Sequence, residues 1–158
     1  MSVAFRREGD DEHLEPKFEI PIPPGRNFVT QRGMALIDAR VAELSDQVAA
    51  LAEAGDNAAQ VEAVRRDLRY WETRQITAEL VPEPTGACVE IGTTVEFRQN
   101  DKLRQVTIVG DDEADPAAGL IAFSAPLARA LLQAETGERV EFAGKPEALE
   151  VVAIRVAG

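Results

Sequence analysis

The stretch "TIVGDDEADPAAGLIAFSAPLARALL", Thr107 to Leu132, decides how the C-terminal part of the chain is read. An apolar, β-branched run enters it, and acids follow at Asp111, Asp112, Glu113 and Asp115. A second apolar run, "LIAF", leads to Pro126, which suits a first helical turn because that turn needs no backbone donor. Leu127, Leu131 and Leu132 then recur at helical spacing, and Gly137 stands past the end as a stop. The order is strand, acidic turn, strand, short helix. The acids do not spell a calcium loop, which needs alternating ligands, a sixth-position Gly and a twelfth-position Glu. Adjacent loop acids also lack the separation of a glycosidase pair. The expected role is a solvated turn that fixes the start of the second strand.

Around this stretch the period of two continues. "CVEIGTTVEF", "RVEF" and "LEVVAIRV" read as further strands. Residues 82–158 are therefore expected to form a small antiparallel sheet with one short helix laid on it. "VPEPTG", Val81 to Gly86, breaks any helix before it and marks a boundary. Upstream the period changes. Ile37, Val41, Leu44, Val48 and Leu51 recur at alternating steps of four and three, as do Val61, Val64, Leu68 and Trp71. Gly55-Asp56-Asn57 lies between the two runs as a turn signal, and Thr30 is a good N-cap. Two seams joined by one turn predict an antiparallel helical hairpin, a coiled coil, over residues 29–81. Folding about Asp56 sets Leu51 against Val61, Val48 against Val64, Leu44 against Leu68 and Val41 against Trp71. Residues 1–28, with "GDDEHLEP" and "PIPPG", read as an extended or disordered leader, or one that packs through Phe18, Ile20 and Phe28. The fold class is α+β.

Composition narrows the function. The net charge of −11 argues against independent, sequence-specific binding of nucleic acid. One cysteine, Cys88, excludes an internal disulfide and a cysteine-based metal cluster. One histidine, His13, would have to serve every nucleophile–histidine triad. No apolar run approaches membrane-spanning length and the start has no signal-peptide core, so a cytoplasmic, membrane-free protein is expected. No catalytic residue and no metal site of the chain's own stands out. The hairpin tip carries Glu53, Asp56 and Glu62, which could lend ligands to a Mg²⁺ held mainly by a partner, although turns are polar in any case. Arg65, Arg66, Arg69 and Arg74 along "RRDLRYWETR" are interrupted by Asp67 and Glu72, which suits an exposed, salt-bridged face.

A helical hairpin followed by a small sheet resembles the Gre family of bacterial transcript cleavage factors. "TIVGDDEAD", "GLIAFSAPLARALL" and "GERVEF" match that family's strand, acidic turn, strand and helix nearly position for position. "FVTQRGMALIDARVAEL" is similar to the opening of its first hairpin helix, and the resemblance covers about residues 27–156. It implies an FKBP-like C-terminal domain that docks on the rim of RNA polymerase, with Ser124, Ala125, Pro126, Leu127 and Arg129 matching the docking segment. It also implies a hairpin that enters the enzyme's secondary channel. There two tip acids help hold a second Mg²⁺, a cofactor shared with the polymerase, which itself cleaves the RNA. Such a protein is a regulator rather than an enzyme, and a monomer is expected.

The chain departs from that pattern in three places. The tip "GDNAAQ" keeps Gly55 and Asp56 but has Ala59 where the family has Glu. Each arm is roughly eight residues shorter, which withdraws the tip by about 12 Å. Ser124 and Ala125 replace an Asp/Asn–Ser pair before Pro126. The short hairpin is more like the Rnk-type regulators of nucleoside diphosphate kinase. The expected function is a polymerase-binding modulator of transcription without efficient cleavage stimulation. The alternatives are an active cleavage factor using Asp56 with Glu53 or Glu62, and a general interaction module. Prolyl isomerisation is disfavoured, since the sheet offers only Phe97, Phe123 and Phe142 to line a pocket.

Overall fold

The computed structural model describes residues 18–157. The chain opens with strand β1 (Asn27–Val29) and two long helices, α1 (Gln31–Ala54) and α2 (Ala58–Thr77). Strand β2 (Ala78–Leu80) follows directly. The sheet region comprises β3 (Thr93–Gln99), β4 (Lys102–Val109), β5 (Leu120–Ala122), helix α3 (Pro126–Leu131), β6 (Arg139–Phe142) and β7 (Lys145–Val156). Two 3₁₀ turns, Asp111–Glu113 and Pro116–Ala118, lie between β4 and β5. The chain forms two compact units, one of described residues 18–24 and 38–76, the other of residues 25–37 and 77–157. The division falls inside α1, so Gln31–Ile37 belongs with the sheet.

In the first unit, α1 and α2 run back on each other through a turn in which Gly55 and Asp56 both take positive φ (75° and 53°). Gln75 Nε2 donates to Asp38 Oδ1 at 2.9 Å, and the Arg40 guanidinium lies over the Trp71 ring at 5.6 Å. These pairs match an antiparallel fold about Asp56. Leu44 is buried, whereas Val41, Val48, Leu51, Val61, Val64, Leu68 and Trp71 are half-buried. Arg74 departs from the exposed face expected for it: only 1% of it is exposed. It follows Trp71 by three residues, which carries it round to the seam side of the helix. In the leader, Phe18 is 77% exposed and does not pack; Glu19 instead accepts both arms of the Arg69 fork at 2.8 Å.

In the second unit, the five-stranded sheet has the order β5-β4-β3-β7-β6. The β3–β4, β3–β7 and β7–β6 pairs are antiparallel as expected, but β4–β5 is parallel, so the sheet is mixed. The acidic turn is the reason: it carries the chain from the end of β4 back to Leu120, which lies beside Thr107. Asp115 and Leu120 exchange both backbone hydrogen bonds, at 2.8 and 3.1 Å, and so fix the start of β5. Asn100 and Asp101 close the β3–β4 hairpin with positive φ at both positions, the two-residue geometry whose twist suits flanking strands. Val95, Phe97, Ile108, Leu131, Leu149 and Val151 form the core against which α3 lies.

The last residues of the expected leader are not extended coil. Asn27–Val29 pairs in parallel with Ala78–Leu80, so the chain just before α1 and just after α2 is joined by a short ladder. Arg26 forks onto Glu79 and lies over the Phe28 ring, and Phe28 meets Phe123 edge to face at 5.4 Å. Of the residues expected to anchor the leader, Phe28 alone does so in this unit.

Candidate functional site: the docking segment, the hairpin tip and the hairpin root

The segment expected to dock is built by anchoring one face of a very short helix. Ala128 and Leu131 are fully buried in the sheet core, which turns Pro126 and Arg129 outward. Leu127 and Ala125 are half-buried, and Ala125 takes the extended N-cap conformation before Pro126. Ser124 is exposed, with its hydroxyl donating to Asp111 Oδ1 at 2.7 Å. Of the five residues expected for docking, Ser124, Pro126 and Arg129 are exposed, while Ala125 and Leu127 pack partly against the core.

The tip residues do not converge. Glu53 and Asp56 are exposed, and Asp56 sits in the left-handed region. Glu62 accepts from Arg69 at 3.0 Å, which turns its carboxylate into an ion pair on α2. Ala59 is exposed. Among the described residues, no three acidic, histidine or cysteine side chains stand close enough to hold a metal ion. The tip acids therefore do not fit a Mg²⁺ site of the chain's own.

Sequence reasoning missed the hairpin root. The acidic turn was expected to be solvated, yet the Glu113 side chain is only 3% exposed. Its Oε1 accepts from the Thr30 hydroxyl at 2.7 Å. Thr30 Oγ1 in turn accepts the Gly33 amide at 3.0 Å, the third amide of α1, as an N-cap does. Arg32 Nη1 stands 3.7 Å from Glu113 Oε2. A Cβ on Gly33 would lie 2.8 Å from Glu113 Oε1, and one on Gly110 would lie 2.5 Å from the Phe28 carbonyl. Gly110 is therefore required by the close approach of the Phe28 backbone, whereas a side chain at position 33 would have to displace the Glu113 carboxylate. A cavity of about 510 Å³ opens beside Thr30, Arg32 and Glu113, with the exposed Leu80 and Val156 on its wall. Eighty-three positions separate Thr30 from Glu113, so no local pattern joins them. The one signal was Gly33, a poor helix former in the first turn of a strongly patterned helix.

The C-terminal strand, turn and helix order can now be compared with known proteins. Residues 83–156 match the family model described as transcription elongation factor, GreA/GreB, C-terminal. That match covers 74 of the chain's 158 residues, the C-terminal part that carries the sheet. A transcription elongation factor GreA of Agrobacterium fabrum is 34% identical over 95 residues, covering 55% of this chain and 60% of that protein. A GreA of Mesoplasma florum is 39% identical over 87 residues, covering 52% and 54%. The chain thus spans little more than half the length of these relatives. GreA factor homolog 1 of Thermus thermophilus aligns in structure with a TM-score of 0.39 and 20% identity, covering 83% of this chain and 99% of that one. Among the described residues, no helix is long and apolar enough to cross a membrane.

Proposed function

We propose that this chain is a Gre-family factor that docks on the rim of RNA polymerase and modulates transcription from the secondary channel, with little or no stimulation of RNA cleavage. The strip Ser124, Ala125, Pro126, Leu127 and Arg129 is the docking surface, and the hairpin is the part presented to the channel. It acts in the cytoplasm as a single copy, and any cleavage chemistry belongs to the polymerase. The observation that carries the non-cleaving reading is the tip. Asp56 is the turn's one acid, Ala59 offers no second ligand, and Glu62 is held by Arg69. The arms have 24 and 20 residues, about 36 and 30 Å at 1.5 Å per residue. Mg²⁺–oxygen bonds are about 2.1 Å long, so side-chain rotation cannot absorb a shortfall of several ångströms.

The test has two steps. The full chain should be retained by polymerase in a pull-down, and Pro126→Glu should weaken retention while leaving the fold intact. Added to backtracked polymerase with Mg²⁺, the chain should give little cleavage, and Ala59→Glu alone should not restore it. Lengthening both arms by whole heptads together with Ala59→Glu should create partial activity. Strong cleavage by the unmodified chain would instead favour the cleavage-factor reading.

A further inference from the structure

Two of the acids in the turn Asp111–Glu113 hold two separate parts of the second unit. Asp111 accepts from Ser124, the residue that starts the docking strip, at 2.7 Å. Glu113 accepts from Thr30, the N-cap of α1, at 2.7 Å. These two acids are only two residues apart in one 3₁₀ turn, so neither contact can move far without the other. The approach of β1 to Gly110 seats the same turn from its other side. We infer that the acidic turn is a two-ended clamp and that Glu113 is a positioning residue: it fixes the first turn of α1 to the element that bears the docking strip. This inference rests on the docking reading above for its functional consequence, but not for its geometry.

The physical argument is about which contacts can be lost cheaply. Exposed ion pairs are weak, and the root has one in Arg26–Glu79. Glu113 is different. Its carboxylate is buried and accepts a hydrogen bond from a hydroxyl that is itself engaged with the helix. Removing it leaves the half-buried Thr30 hydroxyl, which caps α1, without its carboxylate acceptor, and a polar group that loses its partner away from bulk water is costly. A chain lacking Glu113 would therefore keep its docking strip, which stands on Ala128 and Leu131, yet lose the fixed start of α1. Binding and effect should separate.

The experiment uses the full chain with Glu113→Ala, Glu113→Gln and Gly33→Ala. In the free protein, the Gly33 and Met34 amides should exchange faster in Glu113→Ala, with Val95 and Ile108 unchanged. Glu113→Gln, which still accepts from Thr30, should restore protection. Against polymerase, Glu113→Ala should bind about as tightly as wild type while its saturating effect on elongation falls by roughly fivefold or more, the lower end of ordinary coupling between sites. Gly33→Ala should behave like Glu113→Ala, because its methyl group displaces the carboxylate. A purely structural role predicts the opposite for it, since Ala favours a helix over Gly. Unchanged exchange at Gly33 and Met34, or binding and effect falling in parallel, overturns the inference. If wild type does not bind polymerase, the docking reading fails, and the exchange arm still decides the role of Glu113. Should Glu113→Ala not fold, Gly33→Ala carries both arms.

Discussion

The hairpin seam and the sheet core are built from the same kinds of residue and end at different depths. In the sheet, Val95, Phe97 and Ile108 are completely buried. Among the apolar seam residues, only Ile37 and Leu44 are buried, and Ile37 is so in the unit that contains the sheet. The rest, from Val41 to Trp71, stay half-buried. Two helices meet along one line, so each seam side chain is covered on one flank only. A sheet with a helix and strand-end side chains over it covers a whole face. Periodicity therefore tells which way a residue points, and the number of layers tells how far it is buried.

The comparison can be broken at its two extremes. Phe97→Ala removes a fully buried ring, and should cost about 3–5 kcal/mol in equilibrium unfolding, with loss of the sheet's cooperative transition. Leu68→Ala truncates a half-buried seam residue, and should cost no more than about 2 kcal/mol, the low end for buried leucines. Because the chain has two units, each should be followed by a probe of its own, Trp71 for the hairpin and exchange of the Ile108 amide for the sheet. A Leu68→Ala loss as large as that of Phe97→Ala would mean that the seam is as closed as the core.

Much of this architecture is legible in the sequence. The seam spacing and the Gly55-Asp56-Asn57 turn are enough to fold the hairpin about Asp56, and Pro126 with its leucines is enough to place α3. Local rules act there, over one or two turns of helix. The parallel β4–β5 pair is not legible, because the backbone path through two 3₁₀ turns, not strand propensity, sets its direction. The root is not legible for a related reason. Glu113 sits in a run of acids, which reads as solvated, and its partner Thr30 is remote in sequence. Arg74 shows the same limit on the hairpin: a basic residue among basic residues reads as exposed, while its place one turn beyond Trp71 buries it. The tip acids follow from the Gly55-Asp56-Asn57 turn and the expected docking segment from resemblance, and the geometry adds hydrogen-bond partners for Ser124 and Glu62.

The smallest expected effect lies on the hairpin's outer surface, where Glu19 meets Arg69. Both partners are exposed, so the pair should add little to stability and should respond to salt, unlike the buried Glu113–Thr30 contact. Its signature is a titration. The hydrogen bond from Arg69 is the main cause that holds the Glu19 carboxyl below its ordinary value of 4.5; desolvation opposes it, and the charges of Arg69 and then Arg66 add smaller lowering effects. A carboxyl whose folded pKa is depressed contributes above its unfolded value and loses that contribution as pH falls through the folded one. The Glu19–Arg69 pair should therefore be held at neutral pH and released on acidification below 4.5. Carboxyl-carbon NMR of the full chain should give a Glu19 midpoint below 4.5 that rises toward it in Arg69→Gln. Raising the ionic strength to about 1 M, where screening acts within roughly 3 Å, should move the wild-type midpoint the same way. A depressed midpoint that neither salt nor Arg69→Gln moves would show that Glu19 is held by something other than this fork, and that the hairpin surface is less open than its half-buried seam implies.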